Sequence, residues 1–112
     1  MHIEFANRGS AILYRFLKSL NRQQHFLLPA NVCPIVPAVF YKANISFEFI
    51  DINPQTLCID FDTTRKTLRS KSVTGLLYVH TFGADWNVEQ TFLDLKKEFG
   101  RLVIIDDRCL AV

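Results

Sequence analysis

The chain has 112 residues, 49% of them hydrophobic and 21% charged, a balance typical of a globular domain and not of a disordered tail. Its formal net charge is +2 with both signs interspersed, which argues against a nucleic-acid-binding protein. The densest cationic stretch, residues 65–71, fits the solvated face of a helix better than a phosphate-binding patch. This length allows one small domain at most, and its ten phenylalanines indicate that some apolar surface is meant for a neighbour.

The sequence gives no sign of export, membrane insertion or a structural metal. The amino terminus lacks a basic region followed by an apolar stretch, and the longest apolar run, residues 32–40, is interrupted by two prolines. The three cysteines are odd in number and have no metal-ligand spacing; they are Cys33, Cys58 and Cys109. We therefore expect reduced thiols, a cytoplasmic location, and no bound metal or membrane contact.

Segments of helical period alternate along the chain with short apolar runs rich in β-branched and aromatic residues. In chain order they predict a helix over 10–20, a strand over 26–28, a helix over 33–43, a strand over 45–52, a helix over 62–70, a strand over 73–79, a helix over 88–99 and a strand over 102–105. Pro29 is expected to stop the first strand. Asn87 and Gly100 are expected to bound the last helix.

This alternation predicts an α/β fold with an open, mostly parallel sheet and helices on both faces, because continuous apolar strands suit a parallel sheet that is covered on both sides. No linker or internal repeat divides residues 1–112. The last strand leads into Asp106 and Asp107, and only five residues follow. We therefore expect an incomplete sheet and a partial domain whose C-terminal part is absent.

Ligands of open α/β sheets bind at the carboxyl ends of strands and at helix N-termini, and two candidate positions lie early in the chain. Gly9 and Ser10 open the first helix, where a hydroxyl, free N–H groups and the helix dipole favour a phosphate. The same pair is also an ordinary helix start. Residues 29–34, between a strand and a helix, could lie against a cofactor ring, or could simply form a rigid turn.

Two further candidate positions follow later strands. His80 ends the third strand, where a histidine is more often structural than catalytic. Asp106 and Asp107 follow the fourth strand, and two adjacent carboxylates are costly there unless they are paired. One of them could cap a helix or pair with Arg108. The other could hold a cationic ligand group such as a pyridinium nitrogen.

The order and spacing of five stretches are more specific than any single one of them. They are residues 8–13 (RGSAIL), 28–30 (LPA), 49–60 (FIDINPQTLCID), 79–83 (VHTFG) and 104–110 (IIDDRCL). Together they resemble the DegT-type sugar aminotransferases, pyridoxal phosphate (PLP) enzymes of the aspartate aminotransferase fold. The resemblance extends from about Asn7 onward and is most distinctive around Asp51. It implies that the chain is the N-terminal part of the large, cofactor-binding domain.

The resemblance also implies roles for individual residues. Gly9 and Ser10 would hold the PLP phosphate at the helix start. Asp107 would pair with the pyridine nitrogen and keep it protonated. Cys33 stands where the family usually has an aromatic residue stacked on the ring, and His80 would lie near the same pocket. In full-length relatives, the implied reaction transfers an amino group from a donor such as glutamate to a keto-sugar nucleotide, in a homodimer.

The Schiff-base lysine of the family comes well after the acidic strand end. None of the lysines of this chain stands in a matching context; they are Lys18, Lys42, Lys66, Lys71, Lys96 and Lys97. Leu110 also replaces the family glutamine, and Arg8 replaces a small residue. Without that amine neither covalent attachment of the cofactor nor proton transfer at the substrate carbon is possible. We therefore expect no catalytic residue here and no transaminase activity from this chain alone.

The sequence bears on two other classes of function. The chain could be a non-catalytic α/β interaction module that uses its open sheet edge to pair with another chain. A nicotinamide-binding domain is disfavoured, because no G-x-G-x-x-G motif follows a strand.

Overall fold

The computed structural model describes residues 8–80 and 88–108 of the chain. Its elements, in order, are α1 (Gly9–Ser19), β1 (His25–Pro29), α2 (Ile35–Lys42), β2 (Ser46–Ile50), α3 (Phe61–Ser70), β3 (Gly75–Val79), α4 (Glu89–Glu98) and β4 (Val103–Asp107). All eight predicted elements are present, with bounds that differ by a few residues. Four positions singled out in the sequence lie outside the described residues: Gly83, Asn87, Cys109 and Leu110.

The four strands form one parallel sheet in the order β2-β1-β3-β4. The first two strands therefore lie side by side, and the chain then crosses back over β1 to place β3 and β4 on its other side. The predicted fold class, an open parallel α/β sheet with helices on both faces, is confirmed.

The helices pack on the sheet as two layers, each with its own apolar core. Alternate strand residues supply the two faces, because successive side chains of a strand point to opposite sides. The α1 and α2 layer includes Leu17, Phe26, Leu28, Val36, Phe40 and Leu77. The α3 and α4 layer includes Leu27, Ile50, Leu68, Leu76, Tyr78 and Leu95. Alternate residues of each strand therefore contribute their side chains to different layers.

The end of β1 differs from the sequence expectation. Pro29 does not stop β1 but is its last residue, and it is paired with Ile50 of β2. The register between β1 and β3, in contrast, ends at Leu27 and Leu76. Proline has no N–H to donate, so β1 cannot stay paired with β3 at this position and separates from it. On its other side β1 continues along β2, where the N–H of Ala30 donates to the carbonyl of Ile50.

The acidic pair ends the fourth strand, as expected, but it belongs to the strand, which extends beyond the predicted range of 102–105. Asp106 and Asp107 are its last two residues, opposite Tyr78 and Val79 of β3. The carboxylates can end a strand because they stand at its carboxyl terminus, near the edge of the sheet, where Asp106 has polar partners.

Glu48, on the outer strand β2, should make a pH-dependent contribution to stability. Hydrogen bonds from His25 (2.6 Å) and Lys71 (2.9 Å) hold the pKa of its carboxyl below the usual 4.5. The lowered pKa means that the folded chain binds fewer protons here than the unfolded chain, so the stabilisation is present above about pH 4.5 and lost as pH falls through the lowered value. Lys71 is exposed, which limits the effect.

We expect Glu48→Gln to lower the free energy of unfolding at pH 7 by less than about 1 kcal/mol. The difference from the original chain should shrink as the pH is lowered, because protonation removes the same charge from the original residue. Urea unfolding of both chains at pH 7 and at pH 3 measures this. An equal difference at the two pH values would contradict the assignment.

None of the described helices is long and apolar enough to cross a membrane. Residues 8–80 and 88–108 also contain no cluster of three or more metal-ligating side chains. Cys33 is exposed and Cys58 is buried, and neither forms a disulfide within the described part of the chain.

Candidate functional site

The start of helix α1 lies at the carboxyl edge of the sheet. Only residues 20–24 connect the end of α1 to the start of β1, so the helix must run back along the strand that follows it. Arg22 in this connection donates a hydrogen bond to the carbonyl of Arg101, just before β4, which places the connection at the amino edge. The 11 residues of α1 span about 16 Å, as do the five residues of a strand. Gly9 and Ser10 therefore reach the opposite, carboxyl edge.

The first turn of α1 has the chemistry of an anion site. The first N–H groups of a helix have no partner within the helix, and the helix dipole adds positive potential there. Arg8 precedes the helix in an extended conformation and does not cap it through its side chain. A Cβ added at Gly9 would meet no atom within 4 Å, so the backbone at the helix start can be approached. Ser10 adds a hydroxyl to these donors.

Because side chains alternate along a strand, the two carboxylates of β4 point to opposite faces of the sheet. Val103 and Ile105 pack with the α1 and α2 layer, and Asp107 follows them on the same side of the strand. Ile104 packs with the α3 and α4 layer, and Asp106 shares its side. Asp107 is half-buried. It therefore lies at the carboxyl edge in the same layer as the start of α1.

Asp106 is held by two neighbours on its own face. The Nε2 atom of His80 lies 2.6 Å from its Oδ1, and Nε of Arg108 donates to its Oδ2 at 2.8 Å. The His80 side chain is only 2% exposed. The pairing with Arg108, one of the two roles considered from the sequence, is thus the one adopted. It gives Asp106 a structural role at the end of β4.

His80 and Cys33, the other two residues chosen from the sequence, have different surroundings. The His80 side chain shares the Asp106 side of the sheet, whereas its backbone N–H donates to the carbonyl of Asp107 at 2.9 Å. Cys33 is exposed in the connection between β1 and α2. Asn31 in this connection donates to the carbonyl of Leu57 at 2.9 Å. Gly9, Ser10 and Asp107 therefore lie on the side of the α1 and α2 layer, Cys33 is exposed just before α2, and the His80 side chain is on the opposite face.

All six lysines of the chain lie away from this edge. Five are in the second halves of helices α1 to α4, and Lys71 directly follows α3. Helices that alternate with parallel strands run opposite to them, so their second halves lie toward the amino edge. One hydrogen bond agrees with this placement: Lys96 donates to the carbonyl of Leu102, just before β4. No lysine of this chain is positioned to reach the start of α1.

A groove that no sequence pattern predicts lies on the α3 and α4 side of the sheet. It has a volume of about 270 Å³ and is lined by Asn53, Thr56, Cys58, Ile59, Asp60, Phe61, Asp62, Tyr78 and Val88. Tyr78 is buried between Phe61, which stacks on its ring, and His80, which meets the ring edge-on. Burial raises the pKa of Tyr78, and its hydrogen bond with Cys58 acts in the same direction. Only the alternation of Tyr78 with His80 could have indicated that they share a face.

No protein-family model and no curated protein matches the sequence. Solved structures do match the fold. NtdA from Bacillus subtilis, with bound cofactor PMP, superposes with a TM-score of 0.73 at 23% identity, over 92% of this chain and 23% of its own. The sugar aminotransferase CalS13 from Micromonospora echinospora gives a TM-score of 0.70 at 15% identity, over 89% of this chain and 29% of its own. AtS13 from Actinomadura melliaura gives a TM-score of 0.79 at 18% identity, over 92% and 29%.

The fold of this chain is that of one part of each of these proteins. The chain spans about a quarter of their length. The fold expected from the sequence resemblance is therefore present, in the portion of it that this chain contains.

The donor set at the carboxyl edge fits part of PLP. A helix start with a glycine, a serine hydroxyl and an adjacent arginine suits its phosphate, and a half-buried aspartate in the same layer suits a protonated pyridine nitrogen. The amine that PLP enzymes use to attach the cofactor is not among the side chains of this edge. The chain thus offers donors that would suit the phosphate and an acceptor that would suit the ring nitrogen, whereas its lysines lie elsewhere.

Proposed function

We propose that this chain is part of a PLP-dependent aminotransferase-like protein and supplies the cofactor's phosphate and ring-nitrogen contacts. The placement of Asp107 and the start of α1 at the same edge of the same layer carries this proposal. The likeness of the fold to aminotransferases, one of them with bound PMP, supports it.

The proposed roles follow from the chemistry of each group. Gly9 and Ser10 bind the phosphate through backbone N–H groups and the serine hydroxyl. Asp107 accepts a hydrogen bond from the pyridine nitrogen and keeps the proton on it. Cys33 lies in the connection that would face the ring. When bound, PLP withdraws electrons from the substrate carbon that bears the amino group.

The substrate class is proposed at the level of the similar proteins. Among them is a protein described as a sugar aminotransferase, which favours transfer of an amino group from a donor such as glutamate to a keto-sugar nucleotide. Because no lysine of this chain lies at the carboxyl edge, the chain alone is not expected to perform this transfer. The complete site would need an amine from outside these 112 residues.

The phosphate contacts are tested by binding of PLP and inorganic phosphate to the full chain, measured by calorimetry. Ser10→Ala should weaken both by about fivefold, the value of one hydrogen bond of about 1 kcal/mol. Ser19→Ala is the matched control, because Ser19 lies at the other end of the same helix and donates to the carbonyl of Phe16. Asp107→Asn should weaken PLP binding and leave phosphate binding unchanged. Equal effects of the two serine variants, or no PLP binding by the original chain, would refute the proposal.

A separate experiment tests whether this chain lacks the catalytic amine. The chain is incubated with PLP, reduced with borohydride and digested, and the cofactor mass is mapped onto the six lysines. We expect weak labelling spread over exposed lysines, no greater than that of unrelated proteins with similar surface lysines. Strong labelling of one lysine that competes with excess phosphate would overturn the claim that this chain lacks the amine.

A further inference from the structure

A hydroxyl, an imidazole and a carboxylate form a hydrogen-bonded row at the amino edge of the sheet. Ser46 and Glu48 lie two residues apart on β2, and His25 lies beside them as the first residue of β1. The Nδ1 atom of His25 is 2.6 Å from Oγ of Ser46, and its Nε2 atom is 2.6 Å from Oε2 of Glu48. This is the order of groups in a hydrolytic triad, with the roles of the two ring nitrogens exchanged.

The carboxylate determines which ring nitrogen carries the proton. Hydrogen bonds from His25 and Lys71 lower the pKa of the Glu48 carboxyl, so Glu48 is ionised at neutral pH. An ionised carboxylate can only accept hydrogen bonds, so the Nε2 atom of His25 must be the donor. In the neutral ring Nδ1 then has a free lone pair, which faces the Ser46 hydroxyl. His25 is therefore in the tautomer that can take a proton from Ser46.

The backbone of His25 is held from the side of β3. Its N–H donates to Oγ1 of Thr74 at 2.8 Å, and its carbonyl accepts from the N–H of Thr74 at 2.8 Å. The Thr74 hydroxyl in turn donates to Oε1 of Gln24, a side chain that is only 4% exposed. The imidazole is thus attached to a fixed strand end, as a precisely positioned base requires.

The backbone of β2 supplies a donor next to the hydroxyl. The carbonyl of Ile50 accepts from Ala30, so Ile50 directs its backbone groups toward β1. Because this direction alternates along a strand in a parallel ladder, Ser46 also faces β1 and the N–H of Phe47 points away from it. In α/β-hydrolases the N–H of the residue after the nucleophile stabilises the oxyanion of the intermediate. Phe47 stands in that position relative to Ser46.

We propose that Ser46 is a nucleophile activated by His25 and that this site hydrolyses small carboxylic esters. Ser46 is exposed, whereas the side chains of His25 and Glu48 are 28% and 30% exposed, so an ester can reach the hydroxyl while its base stays held. The Ser46 oxygen bonds to the carbonyl carbon of the ester, and its proton passes to Nδ1 of His25. Glu48 stabilises the imidazolium. The bond to the leaving alcohol breaks, and the alcohol departs with that proton.

Water then releases the acyl group from Ser46. The water oxygen bonds to the acyl carbon as Nδ1 of His25 takes one of its protons. The bond between the acyl carbon and the Ser46 oxygen breaks, and the proton returns to that oxygen. One ester and one water give one alcohol and one carboxylic acid, and both side chains return to their starting state. No group at the carboxyl edge takes part.

Irreversible labelling of the full chain with a fluorophosphonate tests the nucleophile. The serine oxygen bonds to phosphorus and fluoride leaves, and the labelled residue is identified by peptide mapping. We expect Ser46 to be labelled at least roughly 100-fold faster than Ser70, the lower end of what a positioned base contributes. Ser70 is the matched serine, because it is also exposed but its hydroxyl donates to the carbonyl of Thr67. Equal labelling of the two serines, or labelling of neither, would overturn the proposal.

Hydrolysis of p-nitrophenyl acetate by the full chain tests the base. Ser46→Ala and His25→Gln should each slow release of p-nitrophenolate at least about tenfold, with background reaction at lysines supplying the remainder. Glu48→Gln keeps a hydrogen-bonding group but removes the charge, so it should slow release several-fold. Ser70→Ala should leave the rate unchanged.

A rate that Ser46→Ala or His25→Gln leaves unchanged would show that the row of hydrogen bonds is structural only. Circular dichroism of each variant shows whether it is folded. Labelling uses the original chain, so it decides the proposal even where a variant of His25 does not fold. Neither experiment involves pyridoxal phosphate, so the outcome is separate from that of the Ser10 test.

Discussion

Gly75→Ala is expected to lower the free energy of unfolding by about 3 kcal/mol, the upper part of the range for overpacked cores. A Cβ at this position would lie 2.3 to 2.5 Å from three ring atoms of Phe26, far inside van der Waals contact. Phe26 is fully buried and its ring also packs edge-on against Phe40, with centroids 5.2 Å apart. The ring has no free space to enter, so either it or the strands must shift. Urea unfolding followed by circular dichroism measures the loss.

Two further variants connect this loss to the ring. Gly100→Ala adds the same methyl group where nothing lies within 4 Å, and it should change stability by less than about 0.5 kcal/mol. Phe26→Leu removes the ring, so adding Gly75→Ala to it should cost much less than Gly75→Ala alone. If the cost of Gly75→Ala were the same with and without the ring, contact with Phe26 would not be its cause.

Asp106→Ala is expected to destabilise the chain by about 1 to 3 kcal/mol, because it removes the acceptor of a buried histidine. The Nε2 atom of His80 lies 2.6 Å from this carboxylate, and the His80 side chain is 2% exposed. Losing the partner would also release the end of β4, next to Asp107. Unfolding of the variant at pH 7 gives the size of the effect.

Two control variants distinguish the contribution of His80 to stability from that of Arg108, the two partners of Asp106. Asp106→Asn keeps an oxygen that can accept a hydrogen bond from a neutral imidazole, so it should cost less than the alanine variant. Arg108→Ala removes the other partner, which is 52% exposed, and should cost less than about 1 kcal/mol. A variant Asp106→Ala with unchanged stability would show that His80 does not need this acceptor.

Much of the fold could be predicted because each element has a strong local signal. The apolar stripe of α1 has the period of a helix, and the short continuous apolar runs of β3 and β4 are typical of strands in a covered parallel sheet. Element ends were less predictable. Pro29 could join β1 because its missing N–H faces the side where β1 and β3 separate, which depends on two other strands.

The candidate site was predictable only as a set of residue types. Strand and helix ends indicated the start of α1, the segment before α2, His80 and the acidic pair. The family resemblance then implied roles for Gly9, Ser10, Cys33, His80 and Asp107. The sequence could not show that the His80 side chain lies on the face opposite Asp107 and pairs with Asp106. Local sequence patterns do not determine how one strand is aligned with its neighbour. This alignment decides which polar side chains meet.

The acidic pair at the end of β4 shows what the sequence determines and what the tertiary structure adds. The sequence alone determined that two adjacent carboxylates end an apolar strand, and strand geometry alone required them to point to opposite faces. Only the tertiary structure decided which face each one enters, because that depends on where α1, α2 and β3 pack. It assigns Asp106 to His80 and Arg108, and sets Asp107 in the layer of the α1 start.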